Sequence, residues 1–81
     1  MIPVLTQPCT ESTLIPIGAF TADGEWNGTF GEQFDTMVEA MAAKAAELGA
    51  DRAYNLHWKT GSHHGHTWLI GTADAYRLAD R

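Results

Sequence analysis

The chain has 81 residues, a formal net charge of −5 and one cysteine. This length predicts a single domain, residues 1–81, with a thin core, and one cysteine excludes a disulfide within the chain. The acidic balance argues against nucleic acid or an anionic membrane as a partner, because both require clustered lysine and arginine.

Two further exclusions concern membrane insertion and secretion. No stretch approaches the roughly 20 apolar residues of a membrane span, and the N-terminus lacks the basic and long apolar regions of a signal peptide. We therefore expect a cytoplasmic protein, with a mature form whose leader was removed as the alternative.

Small domains without disulfides are usually stabilised by a metal or by self-association. Three Trp, three Phe and two Tyr are a large aromatic load, which favours a homo-oligomer.

The first third of the chain predicts one strand between irregular segments. Residues 1–13 are expected to be irregular or a short edge strand, because two prolines there each lack a backbone donor. Residues 14–20 are a predicted strand, and Pro16 places it at a sheet edge. Residues 21–28 form a predicted loop, because they contain two dipeptides typical of turns.

The clearest predicted element is a helix over residues 30–48. Thr29 and Glu32 match a capping box, and Gly49 is a natural left-handed stop. Apolar residues at spacings of 4, 3, 4 and 3 predict its buried face. That stripe consists of Phe34, Val38, Met41, Ala45 and Leu48.

The last third of the chain predicts a β-hairpin. Two alternating runs, residues 53–60 and 66–78, are expected to pair around a turn at 61–65. With the preceding strand and helix, the element order is β-α-β-β. The predicted fold class is therefore α+β, a three-stranded, largely antiparallel sheet with one helix packed on one face.

The register of this hairpin decides which side chains meet the helix. If Thr60 faces His66, then Trp58 faces Trp68, and both indoles lie on the helix side because side chains alternate along a strand. The opposite side would be mixed in character, with Leu69 among its residues. We expect that side to be a self-association surface.

The helix end and the hairpin also carry a resemblance to a known family. The segments Ala45-Ala-Glu-Leu-Gly-Ala-Asp51 and Ile70-Gly-Thr-Ala73 resemble the YbjQ-like family, whose members are often called heavy-metal-binding proteins. The resemblance spans about residues 38–78. It implies a small α+β unit, commonly assembled into a homo-oligomer, without an established enzymatic activity.

The predicted turn holds a cluster of chemistry-capable side chains. His63, His64 and His66 lie within four residues of each other, and neutral imidazole is a common ligand for Zn, Ni and Cu. Three histidines with an open position are typical of a labile or catalytic metal site rather than a structural one. An oligomer could also bring several tips together at a symmetry axis. The alternative is a solvated polar turn that binds nothing.

A second hypothesis uses the tryptophans. Trp26, Trp58 or Trp68 could stack a flat ligand of the flavin type at a subunit interface, and the protein would then be a small-molecule binder or an enzyme. A third hypothesis is an architectural subunit of a larger assembly.

Cys9 has no basic neighbour in the sequence to activate it. The sequence thus predicts a small homo-oligomeric binding or structural protein, and no catalytic residue is assigned.

Overall fold

The computed structural model describes residues 1–24 and 28–79. Its elements are β1 (Leu14–Asp23), α1 (Phe30–Glu47), β2 (Arg52–His63) and β3 (His66–Leu78). The strands form one antiparallel sheet in the order β1-β3-β2, and α1 packs on one face of it. The predicted α+β class and the order β-α-β-β are confirmed. Within the described ranges no helix is long and apolar enough to cross a membrane.

The hairpin turn is tighter than the sequence predicts. Strands β2 and β3 continue to His63 and His66, so only His64 and Gly65 connect them. Both connecting residues have positive φ, 50° and 80°, as a type I′ turn requires. A type I′ turn matches the right-handed twist of the strands, and the pairing therefore runs to the very tip.

The N-terminal segment adds a short parallel edge to β2. The Leu5 amide donates to the Ala53 carbonyl at 2.9 Å, and the Leu56 amide donates to the Leu5 carbonyl at 3.0 Å. Pro8, which lacks an amide hydrogen, follows directly after this stretch. Residues 1–13 thus combine a short edge pairing with irregular chain.

The ends of α1 are fixed by local chemistry. The Glu32 amide donates to the Thr29 hydroxyl at 3.3 Å, and the Glu32 carboxylate accepts from the Thr29 amide at 3.3 Å. Gly49 has φ 80° just beyond the helix and stops it, as expected. These contacts confirm the predicted capping box.

The buried face of α1 differs in part from the predicted stripe. Met37 is fully buried although the stripe omits it, while Leu48 is 41% exposed. Phe34 and Val38 are partly buried at the edge of the core. The reason lies in the strand beneath, where Gly71 leaves room for the thioethers of Met37 and Met41.

The predicted register of the hairpin is wrong. Trp68 lies opposite Gly61, and Trp58 lies opposite Gly71. This differs from the predicted pairing by three residues, and an odd shift moves every side chain of one strand to the other face. Trp58 therefore lies on the helix side, whereas Trp68 lies on the open side of the sheet.

A β-bulge between Tyr54 and His57 shifts the pairing of β2 with β3 by one residue at the end of the hairpin away from the turn. Asn55 within it has φ 61°, a left-handed conformation that asparagine tolerates better than most residues. Its side-chain amide donates to an Asp74 carboxylate oxygen at 2.9 Å. The bulge inserts one extra residue of β2 relative to β3, which a simple count of alternating residues does not anticipate; the amides of Asn55 and Leu56 there donate to the N-terminal segment instead.

The core joins large side chains of the helix to small side chains of the sheet. The helix side of β3 carries Leu69 followed by small residues at alternate positions, and Met37 and Met41 fill the space above them. The sequence predicts that the helix packs on a sheet face rich in aromatic residues. This prediction is wrong for β3, whose helix side carries small residues. The buried cluster consists of Phe20, Met37, Met41, Ala45, Ala50, Ala53, Leu56, Leu69, Ala73 and Ala75.

Candidate functional site

The tight turn places two of the predicted metal ligands directly opposite each other. His63 and His66 are cross-strand partners, and side chains at such positions begin about 4.5–5.5 Å apart on one face of the sheet. His64 occupies the turn itself, and its ring centroid lies 3.9 Å from that of His63. All three histidines are exposed. Residues from two strand ends and the turn thus meet at this tip.

A concavity lies on the open side of the sheet beside the His63–His66 pair. It encloses about 330 Å³ and is lined by Asp23, Gly24, His63, His66 and Trp68. His63 and Gly61 share a face, as do His66 and Trp68, because each pair is two residues apart on one strand. The histidine pair and Trp68 therefore belong to one continuous surface.

Trp68 is held in place by the residue opposite it. A Cβ atom at Gly61 would lie 3.0 Å from Cε2 of the Trp68 indole, so glycine at this position lets the ring lie against the backbone of β2. The indole nitrogen is buried and has no hydrogen-bond partner among residues 1–24 and 28–79. A buried indole N–H without an acceptor costs folding free energy. Within the described chain, the hydrogen-bonding capacity of Trp68 is therefore left unsatisfied.

The described residues do not form a ready-made site with three ligands. Among residues 1–24 and 28–79, no group of three or more His, Cys, Asp or Glu side chains is placed to hold a metal ion. His57 lies opposite Thr72, six residues before His63, and its Nδ1 is 3.1 Å from the Asn55 carbonyl oxygen. The three-histidine site stays a prediction. Of its three residues, His63 and His66 are the two that lie directly opposite each other.

The predicted aromatic ligand site is divided by the register. Trp58, 40% exposed, packs edge-on against Phe34 with centroids 4.9 Å apart, and Phe30 stacks on Phe34 at 6.2 Å. Trp68 lies on the other side of the sheet. Trp26 lies outside the described residues. Since Trp58 and Trp68 face opposite ways, one chain cannot clamp a flat ligand between them.

The open side of the sheet continues from Trp68 along β3. A shallow concavity of about 450 Å³ is lined by Ala19, Phe20, Thr21, Lys59, Ile70 and Thr72. Ile70 and Thr72 are half-buried and Ala19 and Thr21 are exposed. This surface, Trp68, Ile70 and Thr72 with Ala19 and Thr21 beside them, is called the open face below. It is more apolar than the predicted register allows, because that register assigns Trp68 and Ile70 to the helix side.

The opposite end of the sheet carries a polar cluster that the sequence did not indicate. Arg52 forms an ion pair with Glu11, and the Tyr54 hydroxyl donates to Glu11 at 3.4 Å. The hydrogen bond with Tyr54 and the charge of Glu11 raise the pKa of the Arg52 guanidinium. Burial, together with the nearby Cys9, raises the pKa of Tyr76. These contacts tie the N-terminal segment to β2 and β3, so we assign them a structural role.

Cys9 belongs to this same end of the molecule. It is a free, half-buried thiol whose sulfur lies 3.7 Å from the Glu11 carbonyl oxygen. The cluster escapes sequence analysis because Glu11 and Arg52 are 41 residues apart. No local pattern marks such a pair, and only the N-terminal edge pairing brings them together.

Comparison with known proteins gives a fold and no function. No family model matches the chain, and no curated protein matches it. A solved structure of a protein of unknown function from Pediococcus pentosaceus, assigned to the DUF74 family, is similar with a TM-score of 0.72. The two chains are 13% identical, and the match covers 95% of this chain and 97% of the other. At this identity the likeness shows the fold alone, and a fold does not define an activity. The resemblance to the YbjQ-like family stays a prediction.

Proposed function

We propose that the protein is a small self-associating binding protein that takes a divalent transition metal, Zn, Ni or Cu, at its hairpin tip. The supporting observation is that His63 and His66 are direct cross-strand partners on one face. Imidazoles from such positions can reach one ion, and imidazole suits these metals. His64 packs edge-on against His63 and is the third predicted ligand.

Self-association is proposed to use the open face. Along β3 it presents Trp68 and Ile70, with Lys59 and Asp23 on either side of Ile70, and no element of the described chain covers it, whereas α1 covers the other side of the sheet. Apolar side chains rimmed by polar ones are typical of protein–protein contacts. The resemblance to the YbjQ-like family supports the same class, a small α+β unit that assembles with copies of itself. An architectural subunit of a larger assembly is the alternative, and it predicts a large discrete mass without a response to metal.

The metal proposal is tested by thermal unfolding with and without Zn²⁺ or Ni²⁺. Free metal at 100 times its Kd stabilises the folded state by about 2.7 kcal/mol. For a domain of this size we expect the Tm to rise by roughly 10–20 °C and a chelator to reverse the rise. His63→Ala and His66→Ala should each abolish it.

The chain offers two matched controls. His64→Asn keeps a residue that favours the left-handed turn position and removes only the third imidazole, so a retained metal response indicates a site of His63 and His66, and a lost response a site of all three histidines. His57→Ala removes a histidine six residues from the tip and should leave the metal response unchanged. If the parent protein shows no Tm shift, or if His63→Ala and His66→Ala keep it, the tip is a solvated turn and the metal proposal fails.

The flat-ligand hypothesis is a second candidate with a different geometry. Trp58 and Trp68 lie on opposite sides of the sheet, so a stacked ligand would have to lie between different copies of the chain. Freshly purified protein that carries visible absorbance, lost on Trp68→Leu but kept on Trp58→Leu, would favour a ligand at the open face. Colourless protein removes the flavin form of this hypothesis.

A further inference from the structure

The described residues of one chain form no group of three or more metal ligands around the histidine pair at the tip. His63 and His66 are directly opposed, and no group of three or more candidate ligands forms within residues 1–24 and 28–79. Zinc in a structural site takes four ligands in a tetrahedral arrangement. Two imidazoles from one chain therefore supply half of such a site.

Apart from His64, which lies in the turn beside His63, the other candidate ligands considered are distant from the pair. Asp23 lines the same concavity, but it pairs with Ile70, four residues or about 13 Å along β3 from His66. His57 is six residues, about 20 Å, along β2 from His63. Glu11 and Cys9 belong to the opposite end of the sheet, where Glu11 contacts Arg52.

Resting on the proposed function, we infer that two copies of the chain share one metal ion, with His63 and His66 of each copy as its four ligands. Residues 62–67 are exposed, so the tip of one copy is accessible to the tip of another. A twofold axis between the two pairs would bring four imidazoles together around one ion. Both copies then use the same surface, as in any isologous contact.

Two further observations favour a second copy at this position. The apolar open face begins at Trp68, immediately beside the pair, so contact between tips extends into contact between open faces. Each chain carries a net charge of −5, and a divalent cation at the axis reduces the repulsion between the two copies.

The test combines zinc titration by calorimetry with sedimentation of the same samples. We expect one Zn²⁺ per two chains, and a dimer that persists with zinc at concentrations where the metal-free protein dissociates. His63→Ala and His66→Ala should lose both the binding and the zinc-dependent dimer. His64→Asn should keep both, and circular dichroism checks that every variant retains its helix.

Each contrary outcome has a distinct meaning. One Zn²⁺ per chain without a change in mass overturns the shared site but leaves metal binding at the tip in place. Loss of zinc binding in His64→Asn means that one chain supplies three ligands, which also overturns the shared site and leaves metal binding intact. If the parent protein binds no zinc, both the shared site and the metal proposal fail.

Discussion

Replacing Gly71 by valine tests the sheet register on which the proposed site depends. Gly71 lies on the helix side of β3, opposite Trp58. A Cβ atom at this position would lie 3.0 Å from the Met37 sulfur and 3.1 Å from the Met41 sulfur. Ordinary van der Waals contact begins at 3.4 Å, and both methionines are fully buried, so the thioethers have little space into which to move.

The expected effect of Gly71→Val follows from this overlap. Alanine would add one carbon, for which the thioethers need to shift by only a few tenths of an ångström, whereas valine adds two further methyl groups in the same space and requires a larger movement. Overpacking of a well-packed core costs about 1–3 kcal/mol, and each kcal/mol lowers the Tm of a domain of this size by about 4–8 °C. Thermal and urea unfolding should therefore show a clear destabilisation with little change in the denaturant slope.

The sequence-derived register predicts the opposite result. There Gly71 lies on the side away from the helix, where a β-branched residue gains up to about 1 kcal/mol from strand preference. Thr72→Val is the matched control, because Thr72 lies on the open side and valine has nearly the same shape; we expect a change within about 0.5 kcal/mol. A Gly71→Val protein as stable as the parent, or more stable, would refute the observed register and the site built on it.

Three further predictions concern features away from the tip. Asn55→Ala should destabilise the fold by roughly 1–3 kcal/mol in urea unfolding, because it loses both the bond to Asp74 and the tolerance for positive φ, whereas Asn55→Gly keeps that tolerance and should cost less. Thr29→Ala should cost about 1 kcal/mol by thermal circular dichroism, since Glu32 loses its capping partner. The pKa of Tyr76 is raised in the folded state, so its contribution to stability is complete below about pH 10 and is lost as the pH rises through the folded pKa. Tyr76→Phe should therefore weaken the decline of the Tm in alkaline buffer. An unchanged decline would contradict this prediction.

The helix could be predicted from the sequence because its limits are local. Thr29 and Glu32 are three residues apart, and Gly49 stops the helix through its own conformational freedom. The choice of buried side chains was less accurate. Met37 is buried because Gly71, on a strand distant in sequence, leaves space for it, and no pattern within the helix records that space.

The candidate site could be predicted only in part. The histidine cluster is visible in the sequence, but its geometry depends on a two-residue turn. Residues 61–65 contain polar and glycine residues that are compatible with several turn lengths, and the left-handed His64 and Gly65 select the shortest. The signal that could have found it is glycine at the second turn position, as in the Asn-Gly and Asp-Gly turns of tight hairpins. That turn makes His63 and His66 partners and moves Trp68 to the open side.

The sequence by itself determined the fold class, the order of elements, the capped helix and the presence of a histidine-rich hairpin, because periodicity, capping and turn propensity act between neighbours along the chain. Only the tertiary structure decided the register, the face that α1 covers and the pairing of His63 with His66. These depend on the packing of Trp68 on Gly61 and the space above Gly71. Each is a fit between residues of different elements, and such a fit is settled when the elements pack together.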